Sequence, residues 1–275
     1  MVATTPQAAE LVRAVLGDRG HVTGILAANS DPHDYEPRPS DAAALAGADL
    51  IVRSGGEVDG WLDQLVSSSG SDAPVLVLAD HVDLLPGPDG PDPHWWQDPR
   101  NAQLAVAAIA RELDHLDPAS GEEFDSGAHR YAARLGVLDR RIAACLRAVP
   151  AADRELVTSH DSLAYFARRY DIDVIGAAIP ALSTAAQPSA GQTAELIELI
   201  EDRGVHAVFP EVGASAALER AIAGETGARV GAELWTDTLG PPGSPASTYT
   251  GSLAANARAL VAGLGGGHVK CRLGG

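Results

Sequence analysis

The sequence predicts an α/β protein of two lobes, each a parallel sheet flanked by helices, bridged by one long rigid helix. Three observations predict it. Short apolar runs alternate with helical patterns in the first third of the chain and again in the last, as βαβ units require. Residues 119–149, between them, hold no strand-like run. Within that stretch Phe124, Ala128, Tyr131, Leu135, Leu138, Ile142, Cys145 and Val149 recur at alternating steps of four and three, one apolar stripe on one helix. The expected organisation is residues 1–118 as a first lobe, 119–150 as the bridge and 151–275 as a second lobe.

Met1 leads straight into Val2-Ala3-Thr4-Thr5, which reads as a first strand. Residues 6–16 follow as a helix, with Thr5 as N-cap, Pro6 at its first position and Gly17 as its stop. Strands are expected at 22–27, 49–53 and 75–78, and helices at 40–46 and 58–67. The stretch Asp31-Pro32-His33-Asp34-Tyr35-Glu36-Pro37-Arg38-Pro39-Ser40-Asp41 cannot continue as helix or central strand, because its three prolines fix φ and remove donors. It reads as a stiff loop that presents His33 and passes into a helix capped by Ser40. Asp92-Pro93-His94-Trp95-Trp96-Gln97-Asp98-Pro99 repeats the device, presenting His94 ahead of a helix over 99–115 capped by Asp98.

The bridging helix would span about 45 Å at roughly 1.5 Å per residue. Gly121, Gly127 and Gly136 each cost it about 1 kcal/mol, so its first turn is expected to fray or start late. Pro150 ends it. Beyond lie expected strands at 155–159, 174–178, 207–210 and 229–232, with helices at 162–170, 189–202, 216–226 and 248–263. Residues 178–188 and 240–245 read as loops, and the glycine-rich segment 263–275 as a loose tail.

With 275 residues and 45% apolar content the chain can bury a sizeable core, and no run approaches the roughly 18 apolar residues of a membrane span. Its 37 acidic and 20 basic residues give a net charge of −17, which repels phosphate backbones and excludes nucleic acid as a partner. A cation is the more natural ligand. Two cysteines, Cys145 and Cys271, exclude a thiolate zinc cluster. Cys145 lies in the apolar stripe, where it is either a small buried hydrophobe or half of a disulfide to Cys271 that pins the tail to the long helix. No signal peptide is visible, so the chain is either cytosolic or a mature part freed of its leader.

Of nine histidines, three stand apart by context. His33 and His94 sit on the two proline-stiffened loops. His160 ends the run Leu156-Val157-Thr158-Ser159-His160, at the carboxyl end of an expected parallel strand, where ligands of open α/β sheets bind. Asp237, in Trp235-Thr236-Asp237-Thr238, likewise follows an expected strand. Three imidazoles and one carboxylate complete a tetrahedral Zn²⁺ shell in the cleft between the lobes. Glu211, in Phe209-Pro210-Glu211-Val212, competes for the fourth place, or serves as an acceptor that fixes a histidine tautomer. His21, His115, His129, His206 and His268 read as surface residues, and the Trp95–Trp96 pair as packing around the site.

DPHDYEPRPSDAAALAGADLIV, DPHWWQDP, VTSHDSLAYFARRY and WTDTLGPPGSP, in that order, resemble the metal-binding solute receptors of bacterial ABC transporters, the ZnuA/TroA-like family (cluster A-I). The resemblance runs from Val2 to about Gly263. It implies two lobes joined by one backbone helix, with His33, His94 and His160 as imidazole ligands and Asp237 as the carboxylate. It also implies a membrane ABC permease as partner. Manganese receptors of the family tend to carry a carboxylate where this chain has His160, and nitrogen donors favour Zn²⁺ over Mn²⁺. Zinc is therefore expected, with manganese the alternative. The family's His-rich loop is replaced by the short acidic stretch 84–92, so capture there would rest on His81, Asp83, Asp89 and Asp92. Gln187 stands where the family has a glutamate in a Glu-Pro-Ser motif.

The function expected is a high-affinity zinc receptor, periplasmic or extracellular and membrane-anchored, delivering Zn²⁺ to its permease for uptake. It would act as a monomer and not as an enzyme, since a saturated zinc leaves no place for substrate. The alternatives are a manganese receptor, a zinc-dependent hydrolase using Glu211 or Asp237 as base, and a metallochaperone or adhesin on the same scaffold. No His-Glu-x-x-His helix supports the hydrolase.

Overall fold

The computed structural model describes residues 1–88, 90–271 and 273. Two four-stranded parallel sheets carry the chain, as the alternating pattern predicts. The first is built from β1 (Val2–Ala3), β2 (Thr23–Gly24), β3 (Ile51–Arg53) and β4 (Val75–Val77), in spatial order β2-β1-β3-β4. A two-stranded antiparallel hairpin follows, β5 (Pro86–Gly87) with β6 (Gly90–Pro91). The second sheet holds β7 (Glu155–His160), β8 (Asp173–Ile179), β9 (Ala207–Val208) and β10 (Arg229–Val230), in order β10-β9-β7-β8. Read from either first strand, both sheets run second-first-third-fourth. Each therefore has a topological switch point between its first and third strands, where a crevice opens at the carboxyl ends.

The helices are α1 (Pro6–Leu16), α2 (Pro39–Ala46), α3 (Leu62–Ser69), α4 (Pro99–Leu116), α5 (Gly121–Leu146), α6 (Ala164–Tyr170), α7 (Ala190–Arg203), α8 (Ala217–Thr226) and α9 (Tyr249–Leu264). Their starts follow local chemistry. Thr5 Oγ1 accepts from Ala8 N, Asp98 from Arg100 N, Ser189 from Gln192 N and Thr248 from Gly251 N, each satisfying a first-turn donor.

Three expectations are corrected. Ser40 is not the cap of α2: the helix starts at Pro39, and the Asp41 carboxylate accepts from Arg38 N at 2.7 Å. Proline at the first helical position moves the cap back to residue 38. The expected strand over 22–27 is shorter as a ladder, although Ile25 N and Leu26 N still donate to Ala3 O and Thr4 O. The helix expected over 58–67 divides into a 3₁₀ turn, Glu57–Asp59, and α3. The bridging helix, expected over 119–149 with a first turn that frays or starts late, does start late, at Gly121. Gly121 is helical (φ −56°, ψ −43°) and follows directly on a 3₁₀ turn over Pro118–Ser120.

The bridge is thus 26 residues long, about 39 Å at roughly 1.5 Å per residue. Its stripe is buried at Phe124, Ala128, Tyr131, Leu135 and Ile142, and Val149, three residues past its end, is buried as well. Against α5 pack α1 and α4 of the first lobe and α6 and α9 of the second. The largest core is continuous across both lobes. It joins Val12 and Leu16 of α1, Ile109 of α4 and Leu135 of α5 to Phe166, Phe209 and Leu260. Smaller clusters fill the outer side of each sheet, around Ile51 and Leu62 in the first and around Val157 and Ile200 in the second.

Cys145 and Cys271 form a disulfide, their Cα atoms 5.2 Å apart. The tail expected to be loose is thereby fastened to α5, and Leu273 is buried; Arg272, Gly274 and Gly275 lie outside the described residues. Among the described residues no helix is long and apolar enough to cross a membrane.

Candidate metal centre

The two Asp-Pro-His segments fold alike. In each, the aspartate accepts from the histidine backbone, Asp31 Oδ1 from His33 N and Asp92 Oδ1 from His94 N, both at 2.9 Å. This turn, stiffened by the intervening proline, fixes the backbone that carries the imidazole. The second carboxylate oxygen of Asp31 accepts from Thr184 Oγ1 at 2.6 Å, so the His33 loop is tied to the second lobe. His160 arrives on the last residue of β7, at the switch point of the second sheet. Asp237 follows the bridge that pairs Glu211 with Leu234.

These four side chains converge. One donor atom from each lies within 4.8 Å of all the others. His33 Nε2 is 3.5 Å from Asp237 Oδ2, His94 Nε2 3.5 Å from Asp237 Oδ1, and His160 Nε2 3.2 Å from Asp237 Oδ2. The His94 and His160 Nε2 atoms stand 3.3 Å apart. The side chains are between 0% and 7% exposed. His33 Nε2 and Asp237 Oδ1 are buried without a hydrogen-bond partner.

The far sides of two rings explain why that arrangement demands a cation. His94 Nδ1 faces Asp92 Oδ1 at 2.8 Å, and His160 Nδ1 faces Glu211 Oε2 at 2.7 Å. Carboxylates only accept, so both Nδ1 atoms carry hydrogen. Each Nε2 is left as a lone pair aimed at the other across 3.3 Å. Two facing lone pairs beside a buried carboxylate require a metal ion or a proton between them. A proton can take the metal's place. Burial draws the His160 pKa down, but the Glu211 and Asp237 carboxylates outweigh it and hold the imidazolium well above its ordinary range. For Asp237, burial pushes the pKa up, and the neighbouring His160 and His94 pull it well below the usual carboxylate value.

Glu211 is fully engaged away from the centre. Besides His160 Nδ1, it accepts from Thr236 Oγ1 at 2.9 Å, Ser162 Oγ at 3.2 Å and His160 N at 3.3 Å. Its place is that of the acceptor fixing a tautomer, the second of the two roles open to it. Asp92, expected as a capture residue on a surface loop, is instead 2% exposed and orients His94. His81 and Asp83 are exposed, and Asp89 lies outside the described residues. His21, His115, His129, His206 and His268 are exposed, as expected of surface residues, and so is Gln187.

The sequence reading missed how the lobes are clasped beside the site. Trp96 Nε1 and Gln97 Nε2 both donate to Thr236 O at 2.7 Å, one residue before Asp237. Tyr165 of α6 donates to Asp92 O and accepts from Leu85 N, each at 2.7 Å. Trp96 also packs edge-on against His94, with ring centroids 5.4 Å apart, so the tryptophan pair does pack around the site. The clasp acceptor is a backbone carbonyl, which leaves no mark in a sequence; the adjacent Trp-Trp-Gln was the available signal.

Comparison with known proteins places this geometry. The family described as zinc-uptake complex component A, periplasmic, matches residues 1–263. The manganese-binding lipoprotein MntA of Halalkalibacterium halodurans is 30% identical over 257 residues, covering 93% of this chain and 85% of its own length. The iron-binding protein YfeA of Yersinia pestis is 29% identical, covering 87% and 78%. The solved structure of the periplasmic zinc-binding protein TroA from Treponema pallidum superposes with a TM-score of 0.89 at 27% identity, covering 96% of this chain and 98% of that one. With its two parallel sheets, its single long helix and a cluster able to hold a metal ion, the chain belongs to the zinc-uptake component A family of metal-binding substrate-binding proteins of ABC transporters.

Proposed function

We propose that the protein is an extracytoplasmic high-affinity receptor that binds one Zn²⁺ through His33, His94, His160 and Asp237 and delivers it to an ABC permease. The observation that carries this reading is the spacing of the four donors. A tetrahedral zinc with bonds of about 2.0–2.1 Å separates its ligand atoms by about 3.3 Å. Each imidazole Nε2 stands 3.2 to 3.5 Å from an Asp237 oxygen, the His94 and His160 Nε2 atoms are 3.3 Å apart, and one donor atom from each of the four residues lies within 4.8 Å of all the others. The names of the relatives, lipoprotein or periplasmic, support a place outside the cytoplasm, as does the disulfide. The division into lobes 1–118 and 151–275 about a bridge over 119–150 is part of the proposal, as is a monomeric state. Binding without turnover follows from a closed shell of four protein donors, which offers a substrate no open coordination position.

Manganese is the second reading, and one feature favours it. Both oxygens of Asp237 face imidazoles, Oδ1 toward His94 and Oδ2 toward His33 and His160, so the carboxylate can bind through both. A five-coordinate shell richer in oxygen suits Mn²⁺. Titration of chelator-stripped protein with Zn²⁺ and Mn²⁺ against a chromophoric chelator separates the two. One tight Zn²⁺ per chain, with Mn²⁺ far weaker, supports the zinc receptor. Comparable or tighter Mn²⁺ moves the function to manganese uptake, and no tight site removes the transport reading.

A further inference from the structure

A groove of about 770 Å³ lies between α5 and α9, and shares no residue with the metal centre. Its volume falls within the range of small-molecule sites, about 300–1,000 Å³. One wall is a single face of α5: Arg134, Val137, Leu138 and Arg141, at the i, i+3, i+4, i+7 spacing that aligns side chains along a helix. The opposite wall comes from α9, with Ala254 and Arg258 one turn apart. Leu273, held there by the Cys145–Cys271 disulfide, contributes to the lining.

The charge of this lining is opposite to that of the chain. The protein has 37 acidic residues against 20 basic ones, yet the described residues that line the groove include three arginines and no acidic side chain. Arg134 stands 5.1 Å above the Tyr131 ring. Glu10, half-buried, acts on Arg134 electrostatically, while its Oε2 accepts from the Tyr131 hydroxyl and the Tyr249 amide. Arg258 is half-buried, with no hydrogen bond or ion pair among the described residues. Between the guanidinium groups the floor is aliphatic, and Val137 is 40% exposed there.

The geometry points to a second ligand site, in which the groove holds a single-chain anionic amphiphile. Its alkyl chain lies on Val137, Leu138 and Ala254, and its carboxylate or phosphate head is gripped by Arg258 and Arg134. Guanidinium pairs with both heads through two-pronged hydrogen bonds, which an ammonium head cannot accept.

The test uses the full, disulfide-bonded chain carrying its metal, with no free metal present. Dodecanoate, dodecyl phosphate and dodecyltrimethylammonium are titrated below their micelle concentrations by calorimetry. Both anions should bind with one molecule per chain and the cation should not. Arg258→Ala should weaken the anions about tenfold, as loss of one charge-assisted contact does. Val137→Glu, at an exposed position, should abolish binding while leaving metal affinity unchanged. Binding indifferent to the head group, untouched by either substitution, or absent altogether overturns the proposal. Binding to phosphatidylglycerol vesicles with none to the monomers overturns it too, since the face would then meet a bilayer and hold no separate chain.

Discussion

Each imidazole with a carboxylate behind it is a two-part device, and the parts differ in how they show in a sequence. His33, His94 and His160 were legible because prolines or a strand end fix their backbone, and Asp237 because it follows a strand. The partners behind the rings were less so. Asp92 is only two residues from His94, yet as one acid of an acidic loop it looked like a solvated capture residue. Glu211 reaches His160 from a different strand, and nothing along the chain ranks that contact above direct ligation. Replacing either carboxylate by its amide keeps the shape and removes the charge that makes the ring a stronger donor. Asp92→Asn and Glu211→Gln should each weaken metal binding by about 10- to 100-fold without unfolding the chain; chelator competition with each variant measures it, and unchanged affinity would remove the orienting role. The proton on His160 gives a second prediction. Its pKa is raised well above 6.5, so the metal-free site keeps that proton at neutral pH and an incoming ion must expel it. Affinity should therefore fall as pH falls, and about one proton should be released per ion near pH 7. Calorimetry in buffers of different ionisation enthalpy reads the release directly. The same shift stabilises the metal-free fold fully below pH 6.5, and that contribution is lost as pH rises through the raised value. Asp237, lowered below 3.8, contributes above that pH and loses its effect as pH falls through its depressed value.

At the level of elements, the bridging helix shows where propensity and packing part company. Its glycines looked like equal liabilities, and the structure separates them. A Cβ at Gly127 would stand 2.6 Å from Val15 O and 3.2 Å from Val15 Cα, so this glycine is what lets α1 lie against α5. A Cβ at Gly136 would meet only the ends of Gln103 and Arg140, at 3.3 Å and 3.6 Å. Gly136→Ala should therefore stabilise the protein by up to about 1 kcal/mol through helix propensity. Gly127→Ala gains the same propensity but must push two backbones apart, so it should be destabilising on balance, by about 1–3 kcal/mol. Urea unfolding of the two variants checks the pair; equal shifts would mean that α1 and α5 have room to separate. The apolar stripe made α5 itself easy to find. The strands were harder, since short ladders such as β2 and β4 end while the apolar run continues, and run length then overstates them. The boundary of α2 was missed for a simpler reason: Pro39 competes with Ser40 for the helix start, and a proline without an N–H is well placed at the first turn.

On the scale of the whole molecule, the question is how far a site between two lobes can open. Hinged receptors close over ligands by rotating lobes about flexible strands, but here the lobes share one core. Leu135 of the bridge, Ile109 of the first lobe and Phe209 of the second belong to a single buried cluster. Separating the lobes would expose that surface, at about 25 cal/mol for each Å² of apolar area. The clasp of Trp96 and Gln97 on Thr236 adds two buried hydrogen bonds at the site itself. Motion should thus be confined to the segments that carry ligands without core contacts. The His33 loop is the chief one: between β2 and α2 only Leu26 and Pro32 are buried as whole residues, and Asn29 holds a positive φ of 64°. Zinc loading should leave the radius of gyration in small-angle scattering unchanged to within about 1 Å, since no hinge rotation is available. Hydrogen exchange should slow at residues 27–38 and stay nearly constant in α4 and α5, whose opening already requires global unfolding. At a free zinc concentration a thousandfold above Kd, the ion should add about 4 kcal/mol to unfolding stability by linkage alone. A large contraction on loading, with exchange slowing across both lobes, would show that the bridge bends and that the shared core opens in the metal-free state.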